Sequence, residues 1–384
     1  MLKNKPNGHL PEELVIQILL KQSVRDLLRW KSVCKLWFTI INNPSFIEQH
    51  LEVIRNNQNN NKSSNPYFIV NSWSRTSKEQ CISIVSYQTL ASIPEIHRVG
   101  FASPHTICIV GSCNGIVCLI VPNKSNDYET SLLLWNPATK QTKYLNVPYS
   151  CSLKDHYKRD CCDNIGFGFD VKYNDYKVIA VAEPPCPFGV KVYSLKNNSW
   201  TMCSSCSKDD SWDRNNLTYW GVCSGGMYSW TAKGKRRIGN HKEEVIISFD
   251  MTNEVLISTP LPSITEIKPR SDYRTCPTLP INGSLAVVYD MYSNEKDAWL
   301  LGEYGVKESW TKLFSFKSIE DEWPFGFLRK SNSEKLLLII RTTTEELVLF
   351  DPITEERNSL PILKNGTIVL QLEVNFTETL VSIT

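Results

Sequence analysis

The feature that most constrains the fold of this chain is a recurrence. Trp135-Asn136-Pro137-Ala138-Thr139, Tyr193-Ser194-Leu195-Lys196-Asn197-Asn198-Ser199-Trp200, Phe249-Asp250-Met251-Thr252-Asn253 and Phe350-Asp351-Pro352-Ile353-Thr354 each carry a short apolar run into a turn. Trp135, Tyr193 and Phe249 are separated by steps of 58 and 56 residues. A glycine ahead of an apolar run is a second signal, found at Gly115, Gly226 and Gly283, the last two 57 residues apart.

Between these markers the pattern has period two. Residues 67–70, 82–87, 116–121, 132–135, 177–182, 190–195, 244–249, 285–289, 299–301, 336–341, 347–350 and 368–374 read as short strands, nearly all bounded by turn residues. No strong helical pattern intervenes. A period in the fifties with several strands in each repeat fits propeller blades of the kelch sort better than a sandwich. At about 55 residues per blade, residues 66–384 make an all-β propeller of about six blades. A lone blade leaves both faces of a small sheet wet, so the ring has to close. Closure predicts that part of residues 367–384 pairs with a strand near Tyr67.

Residues 1–55 follow a helical period instead, giving a small all-α domain of three to four helices. Leu10-Pro11-Glu12-Glu13 places proline at a helix start and two carboxylates in the first turn, where the helix dipole favours them. Leu14, Ile18 and Leu19 follow at helical spacing. Ser23-Val24-Arg25-Asp26 has the form of a capping box and opens a second helix that turns Val24, Leu27 and Leu28 inward. A third helix holds Val33, Leu36, Trp37, Ile40 and Ile41 and ends at Asn43-Pro44. Ser45-Phe46-Ile47-Glu48 reads as the box that opens a fourth helix running toward Arg55. Residues 56–65, NNQNNNKSSN, contain nothing to bury and read as a polar linker or loop.

Composition narrows the function. Lys plus Arg at 42 against Asp plus Glu at 40 leaves a net charge of +2, too small for a chain whose main work is gripping a phosphate backbone. The N-terminus lacks the apolar stretch of a signal sequence, and no run approaches the length that spans a bilayer. The chain therefore reads as soluble, with a cytoplasmic or also nuclear location. Its 13 cysteines read as reduced thiols serving as small hydrophobes, not as a disulfide framework.

The residues also resemble a known family. Leu10-Pro11-Glu12-Glu13-Leu14, Ile18-Leu19, Val24 with Leu27, Arg29, and Ser32-Val33-Cys34-Lys35-Leu36-Trp37 resemble, in order and spacing, the F-box of plant F-box proteins. The β region is similar to the F-box-associated domain of those proteins, through Gly111-Ser112-Cys113-Asn114-Gly115, Leu134-Trp135-Asn136-Pro137, Gly166-Phe167-Gly168-Phe169-Asp170 with Asp175-Tyr176-Lys177-Val178, and residues 303–310. Within that family the chain is similar to S-locus F-box proteins of pollen and to their relatives. The resemblance implies a substrate receptor of an SCF-type ubiquitin ligase, in which the F-box binds a Skp-type adaptor, and through it a cullin scaffold, while the propeller holds a protein target. It implies no catalysis and no cofactor.

It also assigns Leu10, Pro11, Ile18, Leu19, Val24, Leu27, Val33, Trp37 and Ile41 to the F-box core plus adaptor-binding surface. Gln22-Ser23 departs from the family's Leu-Pro, and leucine at position 22 is expected to raise adaptor affinity.

Other motifs lead less far. Cys203-Ser204-Ser205-Cys206 has the spacing of half a zinc site, with Cys161, Cys162 and His156 upstream, but a zinc ribbon needs a second well-spaced pair. Lys233, Lys235, Arg236 and Arg237 read as a solvated basic loop. No His-Glu-x-x-His, phosphate loop or Gly-x-Ser-x-Gly occurs, and Gly166-Phe167-Gly168 lacks the rest of a dinucleotide fingerprint. The alternative readings are a propeller that acts as a scaffold outside any ligase, or a kelch-type metal-dependent oxidase, which lacks a histidine cluster to hold copper. Target recognition is expected in residues 150–164, 204–217, 262–280 and 317–324, since loops on a rigid scaffold carry specificity.

Overall fold

The computed structural model describes residues 10–59, 67–86, 107–123, 126–146, 165–181, 189–204, 212–217, 221–238, 241–262, 278–281, 283–290, 295–317, 322–329, 336–342, 344, 346–360 and 367–383. Four helices come first: α1 (Glu12–Leu20), α2 (Val24–Trp30), α3 (Lys35–Asn42) and α4 (Pro44–Asn59). Ser23 caps α2, its hydroxyl accepting from the Asp26 amide at 3.2 Å and donating to the Asp26 carboxylate at 2.6 Å. The start of α4 differs from the expected Ser45 box. Asn43 Oδ1 accepts from the Ser45 amide at 2.9 Å and Pro44 is the first helical residue, so Asn43 ends α3 and caps α4. Asparagine is a strong N-cap, and proline at the next position loses no hydrogen bond. The far end of α4 also differs, running through Asn59 into the segment read as linker. Once a helix is nucleated, each added polar residue forms a backbone bond at little cost.

Among the described residues, twenty-four strands then build six antiparallel sheets. β3 (Cys108–Cys113), β4 (Ile116–Asn123), β5 (Asn126–Asn136) and β6 (Gln141–Leu145) form one. β7 (Ile165–Asp170), β8 (Asp175–Val181), β9 (Val190–Ser194) and β10 (Ser199–Cys203) form the next. The third joins β11 (Trp212–Leu217) and β12 (Val222–Ser224), both paired with β13 (Met227–Ile238), to β14 (His241–Asp250) and β15 (Val255–Pro260). Two more hold β16 (Thr278–Ile281) to β19 (Trp310–Lys317) through β17 (Ser284–Asp290) and β18 (Glu295–Leu301), and β20 (Trp323–Arg329) to β23 (Arg357–Ser359) through β21 (Leu336–Arg341) and β22 (Leu347–Phe350). The first strands of these sheets, β3, β7, β12, β16 and β20, approach one another in order around a central axis.

The sixth sheet closes the ring. Its order is β2 (Glu79–Ser86), β1 (Tyr67–Ser74), β24 (Thr367–Phe376), with Tyr67 opposite Phe376 and Ser74 opposite Thr367. β24 takes the innermost place between β20 and β3. The pairing predicted for the last segment is thus realised by residues 367–376, and the remainder follows a different path.

The recurrent sequence signals are turns. Asn136, Asp170, Asp250 and Asp351 each accept, at the end of a strand, from the amides two and three residues on, at 2.8–3.3 Å. These Asx turns explain why an acidic or amide residue follows the aromatic position in repeat after repeat. Gly115, Gly226 and Gly283 adopt φ of +79°, +80° and +79°, the left-handed region a tight turn requires. Each blade packs on its neighbours through apolar side chains, for instance Phe167, Val178 and Ala180 against Ile116, Leu132 and Leu134. One ion pair is buried between blades: Lys177 Nζ lies 2.7 Å from Asp170, 2.9 Å from Glu254 and 2.6 Å from the Met251 carbonyl.

Among the described residues Cys34, Cys81, Cys113, Cys118, Cys203 and Cys223 are thiols outside any disulfide, but Cys108 is disulfide-bonded, a correction to the reading of every cysteine as reduced. No helix among the described residues is long and apolar enough to cross a membrane.

Candidate interaction surfaces

The nine helical positions singled out from the sequence separate into two sets. Leu19, Val24, Leu27 and Ile41 are buried in a common core with Val15, Ile40 and Phe46. They hold the helices together and are the core members of the nine. Leu10, Pro11, Ile18 and Val33 are exposed, and Trp37 is half-buried, its ring 5.3 Å from that of Trp30. Val33 precedes α3, in the turn after α2, and is not part of the helix.

The exposed set has further members. Leu10, Leu14, Ile18, Val33, Leu36 and Phe38 are between 44% and 60% exposed, and they supply half of the large exposed apolar side chains among the described residues. Six such residues on a unit of this size expose more apolar side chain than solubility needs, and Leu14 and Ile18 share one face of α1. Phe38 carried no sequence signal that separated it from the core positions around it. Its exposure, beside the burial of Ile40 and Ile41 in the same helix, sets it apart.

Gln22, the departure noted in the sequence, is half-buried and donates from Nε2 to the Ile18 carbonyl at 3.0 Å, closing the end of α1. Its own carbonyl lies 3.0 Å from Nε2 of His50, a buried residue stacked on Phe46. Burial lowers the His50 pKa, against the upward pull of the Gln22 carbonyl, so the ring is neutral near pH 7.

The helices sit on one end of the ring. Arg55 of α4 donates to Asn114 in the β3–β4 turn at 3.3 Å and lies over the Phe169 ring at 5.0 Å. Asn174 in the β7–β8 turn donates to Glu48 at 3.3 Å, and Ala138 in the β5–β6 turn packs against the helical core. Turns from first to second and from third to fourth strands therefore face the helices. Strand alternation ends the outer strands β6, β10, β15, β19 and β23 at the other end, whereas β2 ends on the helix side, its Ser86 opposite the Tyr67 that lies under Arg25. Residues 150–164 lie outside the described residues, and 204–217, 262–280 and 317–324 lie partly outside them. Of these, 204–217 contains β11, and 262–280 and 317–324 overlap the ends of β16, β19 and β20.

Of the partial zinc motif, Cys203 is buried and its Sγ lies 3.1 Å from the Glu254 carbonyl, while Cys206, Cys161, Cys162 and His156 lie outside the described residues. The side chains of Lys233, Lys235, Arg236 and Arg237 also lie outside them, their backbone running in β13. No group of three or more His, Cys, Asp or Glu able to hold a metal occurs among the described residues.

Comparison with known proteins agrees with this division. Residues 56–381 match the family model of the F-box associated beta propeller domain, and residues 8–50 match that of an F-box-like domain. The chain is an F-box protein with an F-box associated propeller. An F-box/kelch-repeat protein of Arabidopsis thaliana is 27% identical over 318 residues, covering 82% of this chain and 81% of the relative. The F-box protein CPR1 of Arabidopsis thaliana is 26% identical over 377 residues, covering 92% of this chain and 84% of the relative. In this F-box protein the matched helical segment ends inside α4, whose C-terminal half reaches across to the propeller turns at Asn114 and Phe169.

Proposed function

We propose that this F-box protein is the substrate-recognition subunit of an SCF-type E3 ubiquitin ligase. The patch of Leu10, Leu14, Ile18, Val33, Leu36 and Phe38 docks on a Skp-type adaptor, which joins the chain to a cullin scaffold. The far end of the propeller holds a protein target. The observation that carries this reading is the exposure of those six apolar side chains on and beside helices that have a buried core of their own. Apolar anchors of this kind supply most of the affinity when a partner helix covers them. The chain's contribution to transfer is then proximity: it holds target lysines near a charged conjugating enzyme, and the bond chemistry belongs to other subunits.

Co-purification of the full chain with a plant Skp-type adaptor tests the docking. Binding by the native chain and its loss in Leu14→Asp and Ile18→Asp variants that keep their melting temperature support the reading, and an adaptor that fails to bind the native chain refutes it. Affinity capture from the native tissue with proteasome activity blocked addresses the target. Recovery of secreted-type ribonucleases from pollen tubes supports an S-locus role, and recovery of an immune or hormone regulator places the chain among that group's relatives.

A further inference from the structure

Residues 377–383, which follow β24, form no strand, yet six of the seven are buried or half-buried. Their side chains alternate between two bodies. Glu378 takes a two-pronged ion pair from Arg25 of α2, and Leu380 is buried among Val15, Leu19, Val24 and Leu27 in the helical core. Thr379, Val381 and Ile383 turn the other way. The Thr379 hydroxyl donates to the Asn114 carbonyl at 2.6 Å, and Val381 and Ile383 are buried in the core shared by the blades of β3–β6 and β7–β10.

Extended backbone presents successive side chains to opposite sides, so a single stretch of this kind can join two surfaces at once. Its backbone is bonded as well. Asn136 Nδ2 donates to the Thr379 and Val381 carbonyls at 3.2 and 2.7 Å, and the Ile383 amide donates to Gln141 Oε1 at 3.2 Å. Gly115 makes room for it: a Cβ there would stand 2.4 Å from Thr379 Oγ1 and 2.9 Å from the Thr377 carbonyl.

We infer that residues 377–383 are a strap that fixes the orientation of the helical domain on the propeller, with Arg25, Glu378, Thr379 and Leu380 as positioning residues. Two domains joined only by a linker are free to move relative to each other unless a substantial apolar interface holds them. Here a third element inserted between the two adds to the direct contacts of α4, apolar at Leu380 on one side and at Val381 and Ile383 on the other. The adaptor-binding patch and the far face of the propeller are thereby held at a set angle and separation. Resting on the receptor reading above, this makes the chain a rigid spacer between target and conjugating enzyme, where a flexible tether would sample many distances.

Charge exchange across the Arg25–Glu378 ion pair tests the inference. The full chain carries spectroscopic labels, introduced as unnatural amino acids, at Lys35 in α3 and Thr311 in β19, and the distance distribution between them is recorded. The native chain is expected to give one narrow population, Arg25→Glu a broadened one, and the double variant Arg25→Glu with Glu378→Arg a narrow one again. Adaptor affinity measured on the same three proteins is expected to stay within about threefold, because Arg25 lies outside the apolar patch. A distribution unchanged by Arg25→Glu, or a broadening or loss of fold that the exchange does not reverse, overturns the strap. Absence of adaptor binding in all three proteins counts against the receptor reading alone, since the distance measurement does not depend on the adaptor.

Discussion

Arg25 and Glu378 lie 353 positions apart in the chain and meet in one ion pair, with Nη2 at 3.0 Å from Oε1 and Nε at 3.2 Å from both carboxylate oxygens. The arginine also stands 5.9 Å from the centre of the Tyr67 ring, at the start of β1. One guanidinium thus touches the helical domain's own helix, the first strand of the propeller and the segment beyond the last. Glu378 is 14% exposed and Arg25 44%, so the pair is partly screened by water. A double-mutant cycle of Arg25→Ala and Glu378→Ala, followed by urea unfolding, is expected to show a coupling of roughly 0.5–1.5 kcal/mol. A coupling indistinguishable from zero removes the pair from the account of the junction.

Two glycines with the same backbone angle separate strain from crowding. Gly115 and Gly283 both have φ of +79°, but a Cβ at Gly283 would meet nothing within 4 Å, whereas at Gly115 it would collide with Thr379. Gly283→Ala is expected to cost about 1 kcal/mol from the left-handed backbone alone. Gly115→Ala is expected to cost more, by about 1–3 kcal/mol, because the strap must shift. Equal losses in the two variants, read by thermal unfolding, contradict the close approach.

Substitutions in the helices are expected to sort by burial. Ile18→Asp and Leu36→Asp place a charge on exposed positions and should abolish adaptor capture at nearly unchanged melting temperature. Leu27→Asp buries an unpaired charge in the core and should unfold the helices, by 3 kcal/mol or more on general grounds. Near-native capture by Ile18→Asp shows that the patch is not the contact.

Gln22→Leu combines a gain and a loss. The added leucine enlarges the apolar surface near the patch and is expected to tighten adaptor binding, as measured by calorimetry. It also removes the Nε2 bond to the Ile18 carbonyl, at a stability cost of about 0.5–1.5 kcal/mol. A variant that is both weaker in binding and unchanged in stability contradicts both halves.

Glu373 on β24 makes stability depend on pH. Burial pushes its carboxyl up from 4.5 to about 7, opposed by hydrogen bonds from Ser112, whose hydroxyl donates to Oε1 at 2.9 Å. Between those two pH values the folded chain keeps a proton that the unfolded chain has released. The contribution is therefore full below pH 4.5, declines as pH rises toward about 7, and is constant above it. Glu373→Gln, which is neutral throughout, is expected to flatten this slope and to gain about 1–3 kcal/mol at pH 8. Parallel stability curves for the two proteins from pH 5 to 8 sink the assignment.

The strands legible in the sequence were mostly the middle ones. Residues 116–121 and 132–135, 177–182 and 190–195, 285–289 and 299–301, and 336–341 and 347–350 are the second and third strands of their sheets, β4 and β5, β8 and β9, β17 and β18, and β21 and β22. Packed on both faces by neighbouring blades, they are near-continuous apolar runs, as Asp175–Val181 shows by being buried throughout. The outer strands, such as Ser199–Cys203 with its largely exposed side chains, lack that signal. Inner strands such as Cys108–Cys113 and Thr278–Ile281 are short and interrupted by Gly, Ser, Cys or Pro. The helical domain was legible because capping residues and a period near 3.6 are local, although α4 begins at an asparagine-proline cap and not at the expected serine.

What the sequence by itself determined is the division into a helical unit and a ring of about six repeats, together with the turns that punctuate the ring. Caps, Asx turns and left-handed glycines act over a few residues, and their spacing is written in the chain. What only the tertiary structure decided is which apolar helical residues are core and which are surface, and how the two units are joined. Both depend on contacts between residues hundreds of positions apart, such as Leu380 against Leu27 and Glu378 against Arg25, and local periodicity carries no information about them.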